Sequence, residues 1–201
     1  FTTRWRFVVM NKTRRLTVIA LLAAISFVLM IFPQFPLIPG ASFLKIDFSF
    51  VPVLLGALML DLKSGYAILL LRSLLKLLLN NEGVNDYIGL PMNVIAMAVL
   101  LTVIMVIVKR QDMSPKRYVV GAVLGTLGLT VAMVILNYVY AVPLYAMFAN
   151  FDIAKTIGLG TYLLWMVIPF NLIEGAILTA VSGLVYLGLR QIINTTRSQL
   201  N

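Results

Sequence analysis

Tyr87-Ile-Gly-Leu-Pro-Met-Asn-Val-Ile-Ala-Met-Ala-Val-Leu-Leu-Thr-Val-Ile-Met-Val-Ile-Val108 runs for 22 residues without a charged side chain. A helix rises 1.5 Å per residue. About 20 apolar residues therefore cover the roughly 30 Å hydrocarbon core of a bilayer. The whole chain has the same character: 61% of its 201 residues are hydrophobic and 11% charged, with a mean hydropathy of +1.01. A soluble domain carries about 45–50% apolar and about 25% charged residues. This composition excludes a soluble enzyme, a nucleic-acid-binding domain and a disordered linker. The chain holds neither cysteine nor histidine. That removes a disulfide framework, the soft zinc and copper ligands, and Cys–His or Ser–His–Asp catalysis. A Ser–Lys pair, Ser73 with Lys76 on one predicted helix, remains formally possible as an intramembrane hydrolase.

Working outward from Tyr87–Val108, the charges mark further breaks. Leu16–Pro36 is a first span, too long for the apolar region of a signal peptide. Phe48–Leu60 is a short second span between Asp47 and Asp61, expected to tilt or extend over its flanking carboxylates. Lys63–Leu79 is a third, interrupted by Arg72 and Lys76. Residues 118–151 are uncharged over too long a stretch for one simple span. Pro143 is expected to end a fifth helix, Tyr118–Val142, ahead of an ordered apolar loop. Pro169 is expected in the first turn of a sixth, Pro169–Leu189. The fold class is therefore an all-α integral membrane protein of six transmembrane helices. Met10 followed by a basic cluster reads as a natural start. Residues 1–9 then read as an upstream segment and 10–201 as a single six-helix membrane domain.

The net charge of +9 becomes an orientation signal once the loops are assigned. With the N-terminus inside, the inner segments hold Arg4, Arg6, Lys12, Arg14, Arg15, Lys63, Lys109, Arg110, Lys116, Arg117, Arg190 and Arg197, and the outer loops only Lys45 and Lys155. The positive-inside rule then places both termini in the cytoplasm. No Walker A motif and no large soluble segment is present, so any ATP-driven motor belongs to another chain.

Polar side chains inside a bilayer are functional candidates by default. Asn93 lies about 9 Å below the outer end of its span, and Asn137 about 8 Å from the outer end of the fifth. Asn171 and Glu174 fall in the first turn and a half of the sixth, on neighbouring positions of one face. Four polar side chains at one depth, under the outer loop Leu37–Ile46, describe a small-molecule pocket open to the exterior. Phe43, Tyr87, Tyr138, Tyr140, Tyr145 and Phe170 lie at the same level, and such walls suit a flat ligand. The alternatives are structural. The asparagines could be interhelical glue, the tyrosines belt residues, and Glu174 a carboxylate favoured by the helix dipole or a carrier of a coupling proton. Arg72 and Lys76 must face the interior, a cavity or a partner, with Asp47, Glu174 or backbone carbonyls available to them. Ala20 and Ala24 form a small-xxx-small pair that lets a second helix approach closely.

Several stretches together resemble a known family. They are Arg15-Leu-Thr-Val-Ile-Ala-Leu-Leu-Ala-Ala, Phe43-Leu-Lys-Ile-Asp-Phe-Ser, Asp61-Leu-Lys-Ser-Gly, Leu71-Arg-Ser-Leu-Leu-Lys-Leu-Leu-Leu-Asn-Asn, Gly89-Leu-Pro-Met-Asn and Pro169-Phe-Asn-Leu-Ile-Glu-Gly. Over nearly all of residues 10–191 the chain resembles the substrate-binding S-component of an energy-coupling-factor (ECF) vitamin importer. It is most similar to the riboflavin-specific type, to which Arg-Ser-Leu-Leu-Lys and Lys-Ile-Asp-Phe-Ser point. The resemblance implies a non-enzymatic subunit in the plasma membrane of a prokaryote. It would capture riboflavin from outside and deliver it inward with a transmembrane coupling subunit and two cytoplasmic ATPases, toppling in the membrane as ATP is hydrolysed. It implies that Asn137 and Asn171 hydrogen-bond the vitamin and that the backbone of Phe43, Leu44 and Lys45 covers its ring. The loop after the first helix would be the lid, and Ala20 and Ala24 would pack on the coupling subunit. With Asn93, Tyr140 and Glu174, these residues make up the expected substrate site. The resemblance departs at Glu174, where Lys is the commoner expectation. A carboxylate there accepts protons from ribityl hydroxyls or the ring imide. Thiamin, folate, biotin or pantothenate as the ligand, and a stand-alone proton-coupled carrier using Glu174, Arg72 and Lys76, are the rival readings. The carrier reading lacks an inverted repeat.

Overall fold

The computed structural model describes residues 12–37, 44–108 and 114–198, with side chains to Gln191. Helix α1 is Lys12–Ile31 and is followed by a two-stranded hairpin, β1 Phe35–Pro36 and β2 Lys45–Ile46. The strands are antiparallel, with Phe35 opposite Ile46 and Pro36 opposite Lys45. Then come α2 Phe50–Met59, α3 Leu62–Leu79 and α4 Val84–Val108. A helix of 34 residues follows, α5 Pro115–Phe148, then a single turn, α6 Ile153–Thr156. The last helix, α7, starts at Leu159 and runs to Ser198.

Four of these helices, α1, α4, α5 and α7, are long and apolar enough to cross a membrane. The sequence separates α2 and α3 from these four. Helix α3 is long enough but carries Lys63, Arg72 and Lys76. Helix α2 has only ten residues, and nine of them are buried. It is apolar on every side because other helices surround it; α1, α3 and α7 all pack on it. The core of the bundle forms around it, from Phe50, Val53 and Leu54 to Ile68, Leu100 and Ile104.

Both expectations drawn from proline are corrected. Pro143 does not end α5, and Pro169 does not begin α7. Each sits just beyond a π-helical stretch, Asn137–Ala141 before Pro143 and Tyr162–Val167 before Pro169. A proline in a regular helix loses one hydrogen bond, and its ring strikes the carbonyl four residues back. For Pro143 and Pro169 those carbonyls belong to Val139 and Trp165, each within a π stretch, where the wider turn opens the backbone. The expected fifth span therefore extends to Phe148. The sixth begins ten residues earlier than Pro169, at Leu159.

Helix α4 lies closest to α5. A Cβ on Gly121 would stand 3.3 Å from the Ile104 Cα, and one on Gly125 3.3 Å from the Leu100 carbonyl oxygen. Glycines four apart remove the side chains that would hold these backbones apart. At one end of the bundle, Arg15 of α1 reaches Asp61 at 2.5 Å and Ser64 at 2.8 Å. Asp61 also caps α3, accepting from the Ser64 backbone N–H at 2.8 Å. Burial alone would raise the Asp61 pKa; the Ser64 hydrogen bonds and Arg15 outweigh it and hold the carboxyl below its ordinary value. At the opposite end lie the hairpin and the α3–α4 and α5–α7 connections.

A candidate ligand site at the hairpin end

Beneath the hairpin the bundle opens into a vestibule of about 730 Å³. Its walls come from the end of α1, the hairpin, α3, α4, the end of α5 and the segment after it, and include Gln34, Lys45, Asp47, Lys76, Glu82, Asp86, Asn93 and Tyr145. A narrower inner chamber of about 110 Å³ lies against it, sharing Lys45, Gly89, Asn93 and Tyr145. The chamber is mostly apolar and aromatic, lined by Leu44, Met92, Met97, Met133, Tyr162 and Phe170 with Asn93, Asn137 and Glu174 among them.

The expected site residues divide as follows. Leu44, Lys45, Asn93, Asn137 and Glu174 line the one chamber, from four separate parts of the chain. Phe43 lies outside the described residues. Asn171 stands behind the wall rather than in it: it is fully buried, and its Nδ2 donates to the Val167 carbonyl at 2.7 Å. Its Oδ1 has no partner among the described residues. Tyr140 stands apart from these residues. It lines neither chamber, and its hydroxyl donates to the Tyr87 carbonyl at 3.4 Å. The π stretch around Tyr140 changes the angular register of α5, so spacing from the first half of the helix no longer predicts the facing side. Tyr87 and Tyr138 also face outward, as belt residues would. Ala20 and Ala24 are exposed on α1, while the adjacent Ala23 is in the core.

Charged groups close the polar side of the vestibule. Arg72 is fully buried; its Nη2 donates to the Asn93 Oδ1 at 2.5 Å, and its Nη1 is 4.0 Å from Asp47. Asp47 is held in turn by the Ser49 backbone N–H at 2.8 Å and the Ser49 hydroxyl. Lys76 is 3% exposed and surrounded by acceptors: the Asn80 carbonyl and side chain, Glu82 at 3.2 Å and Asp86 at 3.0 Å. Arg72 and Lys76 are therefore both paired within the protein, as buried cations must be. Lys45 of the hairpin lies 3.7 Å from Glu82, which joins the hairpin to the α3–α4 connection over the vestibule. Burial would raise the Glu82 pKa, but the Lys76 hydrogen bond and the Lys76 and Lys45 charges hold it below the ordinary 4.5.

Glu174 is different. It is 6% exposed, lines the chamber, and has no hydrogen bond or ion pair among the described residues. Asp47, expected among the partners of Arg72, stands 4.0 Å from its Nη1. One further residue was not legible in the sequence. Tyr162 carried no signal; its hydroxyl donates to the Asn137 Oδ1 at 2.6 Å.

The structure is a helical bundle with four helices long and apolar enough to cross a membrane and a two-part cavity at its hairpin end. The sequence family of ECF transporter substrate-specific components matches residues 14–186. The riboflavin transporter RibU of Streptococcus thermophilus is 55% identical over 189 residues, covering 94% of this chain and 89% of the relative. RibU of Leuconostoc mesenteroides is 43% identical over 177 residues, covering 87% and 90%. The riboflavin transporter FmnP of Bacillus subtilis is 32% identical over 189 residues, covering 93% and 97%. A solved S component of a bacterial ECF transporter superposes with a TM-score of 0.75 at 31% identity, covering 91% of this chain and 99% of that one. The chain belongs to the family of ECF transporter substrate-specific components.

Proposed function

We propose that this chain is the high-affinity riboflavin-binding subunit of an ATP-driven ECF importer in the plasma membrane of a prokaryote. The observation that carries the reading is its 55% identity, over 94% of its length, to a riboflavin transporter. The cavity chemistry agrees. A ligand pocket typically occupies about 300–1,000 Å³. The vestibule and chamber have room for a vitamin-sized ligand, with its flat ring against the methionine and aromatic walls and its polar groups toward Asn93, Asn137 and Glu174. The backbone of Phe43, Leu44 and Lys45 covers the ring, and Asn171 adds a polar atom from behind the wall.

In this reading residues 10–201 form one domain of six spans, α2 and α3 crossing inside the bundle, with both termini cytoplasmic. The basic residues near the Asp61 end support that orientation through the positive-inside rule. The vestibule then opens outward, toward the vitamin. Ala20 and Ala24 meet the transmembrane coupling subunit, and two cytoplasmic ATPases supply the energy. The relatives are transport components, which favours neither the hydrolase nor the stand-alone carrier.

Titration of purified protein into riboflavin, followed by quenching of flavin fluorescence, tests the assignment. Saturable one-to-one quenching that excess thiamin, biotin, folate or pantothenate does not reverse is the expected outcome. Release of riboflavin by one of those vitamins would reassign the ligand.

A further inference from the structure

Two asparagines line the chamber and a third stands behind its wall, and the chemistry of their partners fixes which end of each amide faces which way. Side-chain amide orientation follows from the hydrogen-bond network, and here an arginine or a backbone carbonyl, each able to play only one part, decides it for each amide. Arginine donates and never accepts, so the 2.5 Å contact from the Arg72 Nη2 commits the Asn93 Oδ1 to the protein. The Asn93 Nδ2 has no hydrogen bond among the described residues, and Asn93 lines both chambers. A backbone carbonyl only accepts, so the 2.8 Å contact to the Met133 oxygen identifies the Asn137 Nδ2. The Asn137 Oδ1 then faces the Tyr162 hydroxyl, which donates to it at 2.6 Å. Asn137 keeps one N–H uncommitted. Asn171 is fixed in the same way by Val167, but behind the wall.

We propose that Arg72 and Tyr162 are positioning residues that lock the amides of Asn93 and Asn137 as hydrogen-bond donors into the chamber, leaving Glu174 as its carboxyl acceptor. This rests on the riboflavin reading and deepens it by assigning polarity to the recognition surface. Glu174 is the one carboxyl group lining the chamber among the described residues, and a carboxyl keeps an acceptor oxygen in either protonation state. A ligand seated there must offer acceptors to the two asparagines and a donor to the glutamate. An imide edge, with an N–H between two carbonyls, offers that set. The lock also limits the entropy lost on binding, because neither amide has to be ordered by the ligand.

The π stretches make the lock possible. Asn137 opens one and Tyr162 the other, and the two stretches pack together. Both residues are buried, at 2% and 1% exposure, so the Tyr162 hydroxyl needs a partner, and Asn137 supplies it.

The test combines a binding cycle with a readout that needs no ligand. Asn93→Asp keeps an oxygen for Arg72 and replaces the chamber-facing donors with an acceptor. The protein should fold, and riboflavin affinity should fall at least tenfold. Tyr162→Phe should weaken riboflavin binding about five- to tenfold in the wild type but less than twofold in an Asn137→Ala background. Equal losses in both backgrounds, or wild-type affinity for Asn93→Asp, would overturn the proposal. In ligand-free protein, the side-chain amide NMR signals of Asn137 should shift in Tyr162→Phe while those of Asn171 stay in place. If wild-type protein binds no riboflavin but these shifts appear, the ligand assignment fails and the positioning role stands. If the Asn137 signals do not move, the positioning role fails whatever the ligand.

Discussion

Replacing Glu174 should separate stability from binding. The side chain is 6% exposed and has no hydrogen bond among the described residues, so the Arg72 charge offsets only part of its desolvation in the empty protein. Relief of an unpaired buried polar group is worth about 1–3 kcal/mol in proteins. Arg72 keeps Asn93 and Asp47 when Glu174 is removed, so Glu174→Leu strands no cation. Ligand-free Glu174→Leu should therefore melt several degrees higher than the wild type. The bound state moves the other way. A ligand donor that faced the carboxyl now faces a methyl group, at a cost of about 1–3 kcal/mol. At 1.4 kcal/mol per tenfold change this is roughly a 5- to 150-fold loss of affinity. Glu174→Gln keeps an acceptor oxygen but loses any charge assistance, roughly half the strength of such a bond, and should fall between. Thermal melting by intrinsic fluorescence and titration by flavin quenching measure the two effects on the same preparation. Wild-type affinity in Glu174→Leu would refute the reasoning, as would a melting temperature that falls.

Asp61→Ala removes both the α3 cap and the Arg15 pair and should cost about 1–2 kcal/mol, seen as a lower melting temperature; Asp61→Asn keeps capping ability and should cost less. The Asp61 carboxyl is held below its ordinary 3.8, so its contribution is present above that value and lost as pH falls through the lower folded value. The melting difference between wild type and Asp61→Asn should stay constant above about pH 5 and shrink in more acid solution. A Cβ on Gly175 would stand 2.6 Å from Thr126 Cγ2 and 2.7 Å from its Oγ1. Gly175→Ala should then destabilise by about 1–3 kcal/mol through overpacking between α5 and α7, measurable by denaturation in detergent. Ala24→Leu, on the exposed face of α1, should leave flavin quenching unchanged while reducing riboflavin uptake by cells; intact uptake would remove that face from the coupling interface.

Much of the fold was legible because a bilayer imposes length and apolarity directly. The long uncharged runs became α1, α4, α5 and α7. Depth anticipated one grouping of the candidate site: Asn93, Asn137 and Glu174, counted separately at 1.5 Å per residue, line one chamber. Pro143 and Pro169 misled because a π turn has no residue signature, and one placed before a proline cancels the break that proline normally causes. The same turn moved Tyr140 off the cavity. Asn171 has the correct depth but turns its amide into its own helix, a choice made by side-chain torsion and invisible to spacing. Asp47 was among the partners expected for Arg72, while Asn93 and Asp86 depended on tertiary packing, since they reach Arg72 and Lys76 from another helix.

The most direct test of the central claim is the identity of the molecule that leaves with the protein. Purified from riboflavin-containing medium and then denatured, the chain should release a yellow compound with flavin absorption bands, one per protein molecule. Release of a different vitamin, or a colourless preparation that also fails to quench added riboflavin, would contradict it.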